Sequence, residues 1–67
     1  MIKLEDFIEA LSENTKVMIF SDRDEKQILF GGFKEDMSGL FKGLYGKDEV
    51  IMIRTIFKDL WIKIKEV

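Results

Sequence analysis

Two apolar stripes of the same spacing, 33 residues apart, limit what this chain can fold into. Leu4, Phe7, Ile8 and Leu11 recur at i, i+3, i+4 and i+7, and Met37, Leu40, Phe41 and Leu44 fall on the same positions after the shift. Each set is one face of a short amphipathic α-helix. A polar break follows each stripe, Ser12–Thr15 in the first case and Tyr45–Glu49 in the second. Behind each break come two runs rich in β-branched and aromatic residues, KVMIFS and QILFGGF, then VIMIRTIF and LWIKIKEV. The charged turn DRDEK separates the first two, and Lys58-Asp59 marks a tight turn between the others. The chain therefore reads as (αββ) twice, residues 1–33 and 34–67, within a single domain of 67 residues.

The predicted fold class is α+β: a pseudo-repeated (αββ)2 unit with a four-stranded sheet, mixed or antiparallel, and two helices packed on one face. Alternation assigns the faces. In the last strand Leu60, Ile62 and Ile64 point one way, and Trp61, Lys63 and Lys65 the other. The first strand is apolar on both sides, Val17 and Ile19 against Met18 and Phe20. The third is alike, Val50 and Met52 against Ile51 and Ile53. Strands of that kind belong in a sheet covered on both faces, and two short helices cover one. The candidate residues for the uncovered face are Met18, Phe20, Leu29 and Trp61, and the expected cover is a second copy of the chain.

Length supports that expectation. A chain this short buries only about 60% of the surface that it exposes when unfolded. Small domains compensate with disulfides, a metal or a partner subunit. Cysteine and histidine are both absent, which closes the disulfide route and leaves little for zinc. With 46% hydrophobic and 12% aromatic residues, packing and oligomerisation remain. The net charge of −2 argues against a general nucleic-acid binder. No secretory leader or membrane span is read, so the expected location is the cytoplasm.

All five glycines lie between Gly31 and Gly46, beside lysines. A phosphate loop of the form G-x-x-x-x-G-K-[ST] fails here, because Phe41 holds the first glycine position and Asp48 follows Gly46-Lys47. Gly31-Gly32 reads instead as a turn at a strand end, and Gly46 as a helix C-cap. Gly39 and Gly43 lie opposite the Met37/Leu40/Phe41/Leu44 stripe, as a small-residue ridge or a weak exposed face. Asp22, Asp24 and Glu25 resemble the start of a calcium loop, but its sixth and twelfth positions are Gln27 and Phe33. No metal or cofactor is expected. Without histidine or cysteine, and with carboxylates only on predicted surfaces, an enzyme is not expected either.

Two charged constellations remain. Glu5, Asp6, Glu9 and Glu13 form an acidic strip on the first helix, which suits either a solvated face or a basic partner. Arg54, Trp61, Lys63 and Lys65 form a small basic and aromatic platform of the kind that binds single-stranded nucleic acid, or lysines that guard a strand from aggregation.

Through KLEDFIEALSENTKVMIF the chain resembles a group of small, uncharacterised bacterial proteins of phage and mobile-element type. These share K-L-x-D-F-[IL]-E-x-L, a polar break and T-K-V-x-[IV]. The likeness covers the first third of the chain and brings no functional residues with it. It implies a non-enzymatic accessory protein. The leading expectation is thus a small intracellular protein-binding module that associates with itself. The alternative is an inhibitor of a host defence nuclease acting through the acidic helix face, and the third reading is a single-strand nucleic-acid binder.

Overall fold

In a computed structural model, which describes residues 1–66, the elements run α1 (Leu4–Glu9), β1 (Lys16–Ser21), β2 (Ile28–Phe33), a 3-10 turn (Lys34–Asp36), α2 (Gly39–Tyr45), β3 (Glu49–Ile56) and β4 (Asp59–Lys65). The class is the α+β arrangement expected from the sequence. The four strands form one mixed sheet in the order β2-β1-β4-β3. Both outer pairs are antiparallel, whereas the central β1–β4 pair is parallel, with Val17 opposite Leu60 and Ile19 opposite Ile62.

One core lies between the sheet and the helices. Leu4 and Ile8 of α1, Val17 and Ile19 of β1, Met37, and Ile62 and Ile64 of β4 are buried together. Phe7, Leu11, Phe30, Phe41, Tyr45, Val50 and Leu60 pack around them. The residues of β1 and β4 that face the helices are the even-spaced sets read from alternation.

With six residues, α1 is too short to hold itself together. Its ends are completed by distant backbone and by one lysine. The Leu4 and Glu5 N–H groups donate to the carbonyls of Asp48 and Gly46, at 2.9 and 2.8 Å. At the other end Lys34 Nζ donates to Leu11 O at 2.6 Å and to Glu9 O at 3.2 Å. Two of the orphan N–H groups at its start, the Glu9 carbonyl at its end and the Leu11 carbonyl just beyond are thereby paired.

The second helix departs from its predicted stripe. The 3-10 turn ends at Asp36, and Ser38 then starts α2 by accepting a hydrogen bond from the Phe41 N–H at 3.1 Å. Met37 therefore packs from outside the helix. The inward residues of α2 are Phe41 and Tyr45, whereas Leu40 and Leu44 are 75% and 65% exposed.

Two β-bulges alter the expected alternation. One, at Ile19/Phe20, pairs Ile19 with Phe30 and Phe20 with Ile28, which leaves Leu29 unpaired between them. The other, at Val50/Met52, leaves Ile51 unpaired. As a result Val50 and Ile53 share the helix side with Ile64 and Ile62, and Met52 joins Lys63 on the opposite face. Val50 and Met52 are thus not on one face, as simple alternation has it. Gly31-Gly32 also lies inside β2 and not beyond its end. Gly32 has φ 155°, and Gly31 sits against the thioether of Met18, which a Cβ there would approach to 3.1 Å.

Candidate protein-docking surfaces

The sheet face away from the helices is built by residues of all four strands. Its centre is a cross-strand pair, Met18 of β1 beside Trp61 of β4. Phe20 lies one step further along, opposite Lys63 and Ile28. The Phe20 and Trp61 rings meet edge to face at 6.2 Å, a favoured aromatic geometry. Met52, Arg54 and Ile56 of β3 and Phe33 of β2 extend the face to both edges, as their strand partners show. Three of the four residues predicted for the uncovered face are therefore neighbours. Leu29 is the correction: freed from pairing by the bulge, it turns toward the helices and packs against the core.

This face is partly sealed by its own side chains. Phe20 is only 8% exposed although no helix covers it. Lys63 Nζ stands 5.8 Å from the Phe20 ring centroid and is held by Glu25 at 3.1 Å. The β1–β2 turn thus reaches over the face and fixes a cation above its most apolar residue. Glu25 is the residue that sequence reading missed here. Its turn has polar composition, and nothing local indicates which strand it bends toward.

The basic platform is assembled as its spacing implies. Arg54 pairs with Trp61, and Lys63 and Lys65 lie on the same side of β4. Lys63, however, is committed to Glu25, and Glu49 of β3 stands opposite Lys65. The acidic strip is only partly assembled. Glu5, Asp6 and Glu9 are exposed along α1, but Glu13 lies beyond its end, 3.6 Å from Lys34 Nζ. Asp22 and Asp24, the calcium-like acids, are engaged in local order. Asp22 Oδ1 accepts from the Glu66 N–H at 3.1 Å and Asp24 Oδ1 from the Lys26 N–H at 3.1 Å.

Asp48 sits where α1, α2 and β3 meet and is 8% exposed. Burial pushes its carboxyl above the ordinary 3.8, Glu66 and Asp22 add to the rise, and Arg23 opposes it. A raised carboxyl can mark an acid–base group. Here its own backbone carbonyl starts α1, and the position reads as structural. Among the described residues no group of three or more acids, histidines or cysteines is placed to hold a metal ion. Nor, among them, is any helix long and apolar enough to cross a membrane.

Comparison of the chain with protein-family models, with curated proteins and with solved structures gives no match.

Proposed function

We propose that this chain is a non-enzymatic protein-binding module of the cytoplasm that associates with a second copy through the helix-free face of its sheet. The observation that carries the reading is the contiguous Met18–Trp61–Phe20 cluster, which lies at the middle of a four-stranded face that no helix covers. Exposed apolar residues continue outward from it at Ile28, Phe33 and Ile56, which are 38%, 44% and 39% exposed. An apolar area of this extent on a small domain marks an interaction site.

Size decides how much of the face must take part. A stable interface takes about 800 Å² from each partner, roughly a sixth of the 4593 Å² that the chain exposes. The central cluster alone is too small, since Phe20 is already nearly covered. The contact therefore extends to Met52, Ile28 and Phe33. The other two readings have weaker support. The platform for single strands has its middle lysine tied to Glu25, and the acidic strip has lost Glu13 to Lys34.

Sedimentation of the chain across a concentration series tests the proposal. The expected result is a dimer, converted to a folded monomer by Trp61→Glu. Phe20 is unsuitable for this substitution, because a charge in its place would be buried. A wild-type chain that stays monomeric at high micromolar concentration would overturn the reading.

A further inference from the structure

On the opposite side of the molecule, α1 and α2 leave a groove of about 110 Å³ between them. Its floor is Leu4, Ile8, Met37 and Phe41, all of the core or packed on it. One wall carries Glu5 and Glu9, and the other Lys42 and Gly46. Volume narrows what can enter. Pockets for cofactors and drug-sized ligands run from about 300 to 1,000 Å³, whereas an apolar cavity of about 150 Å³ takes benzene. The groove therefore suits one aliphatic side chain, offered by a larger molecule.

The rim says what should stand beside that side chain. Glu5 and Glu9 are one helical turn apart, so their carboxylates lie on the same side of α1. Asp6 adds a third negative charge, and the last turn of α1 has no basic residue. Among the described residues neither Glu5, Glu9 nor Lys42 takes part in an ion pair. Two unneutralised acids thus face one unneutralised cation across an apolar floor. A phosphate backbone would be repelled along the acidic wall, and a cation would be drawn to it.

We propose that this groove is an anchor site for a protein segment that presents one leucine- or methionine-sized side chain next to a lysine or arginine. The aliphatic group sits on Ile8 and Phe41, and the neighbouring cation lies between Glu5 and Glu9. Lys42 fixes the direction of the segment by excluding a second cation from its own wall. The site lies on the helix layer, remote from the sheet face, and does not depend on self-association.

The test is a titration of the ¹⁵N-labelled full chain with three blocked tripeptides: Arg-Leu-Arg, Arg-Ala-Arg and Glu-Leu-Glu. Arg-Leu-Arg should bind with a dissociation constant on the order of 1 mM, as one anchor and one favourable charge allow, its other arginine being repelled by Lys42. Its shifts should be confined to the amides of residues 4–9, Met37 and residues 41–46. Glu9→Lys should weaken binding about tenfold and Lys42→Glu should tighten it about threefold, the scale of a few exposed charge pairs. Neither change touches the packing of Glu5 on Gly46, so both variants keep the fold. Equal binding of Arg-Ala-Arg or Glu-Leu-Glu would overturn the proposal. So would shifts centred elsewhere, indifference to the two variants, or no binding at 10 mM peptide.

Discussion

Lys34 is the residue on which the first helix depends. It is a charged side chain at 8% exposure, yet its ammonium is fully used, by Leu11 O, Glu9 O and Glu13. A cation at a helix C-terminus also meets the negative end of the helix dipole. Lys34→Met keeps the aliphatic stem and removes the donor. It should cost about 1.5–3 kcal/mol, the range for hydrogen bonds to charged groups, and lower the thermal midpoint on the order of 10 °C. Glu13→Gln should cost well under about 1 kcal/mol, because that carboxylate is 70% exposed. Calorimetry of the two variants separates capping from ion pairing. Asp48 gives a prediction in pH. Its folded carboxyl holds its proton above the ordinary 3.8, so the native state binds more protons than the unfolded chain as pH rises from there, and stability falls. Asp48→Asn should therefore raise the melting temperature at pH 7. The gain should vanish below pH 3.8, where both states carry the proton. A gain that is the same at pH 3 and pH 7 would refute the burial account.

At the scale of elements, the glycines of α2 behave oppositely to one another. Nothing lies within 4 Å of a Cβ built on Gly43, whereas one on Gly46 would meet the Lys42 carbonyl and come within 2.9 Å of Glu5 Oε2. Gly43→Ala should then stabilise by about 1 kcal/mol through helix propensity, about 4–8 °C in a domain of this size. Gly46→Ala should destabilise, because the α1–α2 contact has to open. Thermal unfolding of both variants checks the pair, and a destabilised Gly43→Ala would show that this helix face is already in contact with something. The same elements show what could be read from sequence. The β-branched and aromatic run KVMIFS places β1 to the residue, since both faces of a central strand reward apolar side chains. The faces of β2 and β3 could not be read that way. Each carries a bulge, which depends on the partner strand and leaves no mark in the run that contains it. Hence the sequence alone puts Leu29 on the open face and Met52 on the side of Val50, and the bulges reverse both. The phase of α2 is hidden for a related reason. Met37 fits a helical stripe by spacing, but Ser38 is the better N-cap and starts the helix after it. Of the docking cluster, Met18, Phe20 and Trp61 followed from alternation. Glu25, Lys34 and the groove between the helices arise from contacts over long separations, with no local signal.

For the whole molecule, the proposed self-association would make stability a function of concentration. The thermal midpoint of the wild-type chain should rise with each tenfold increase in protein, and that of Trp61→Glu should not. Parallel concentration series in a scanning calorimeter would show the difference, and a constant wild-type midpoint would argue for a monomer. The sheet order has a separate consequence for how the chain is made. Its two halves are joined through the parallel pair at the middle of the sheet, Val17–Ser21 against Leu60–Ile64. No intermediate length of chain contains both. At about 5–20 residues per second, the roughly 40 residues between these strands take about 2 to 8 seconds to appear. Through that interval Val17 and Ile19 have no strand beside them except β2. A chain stopped after Phe57 would keep only the β1–β2 pair of the sheet, leave β3 without a partner strand, and lack Ile62 and Ile64 of the core.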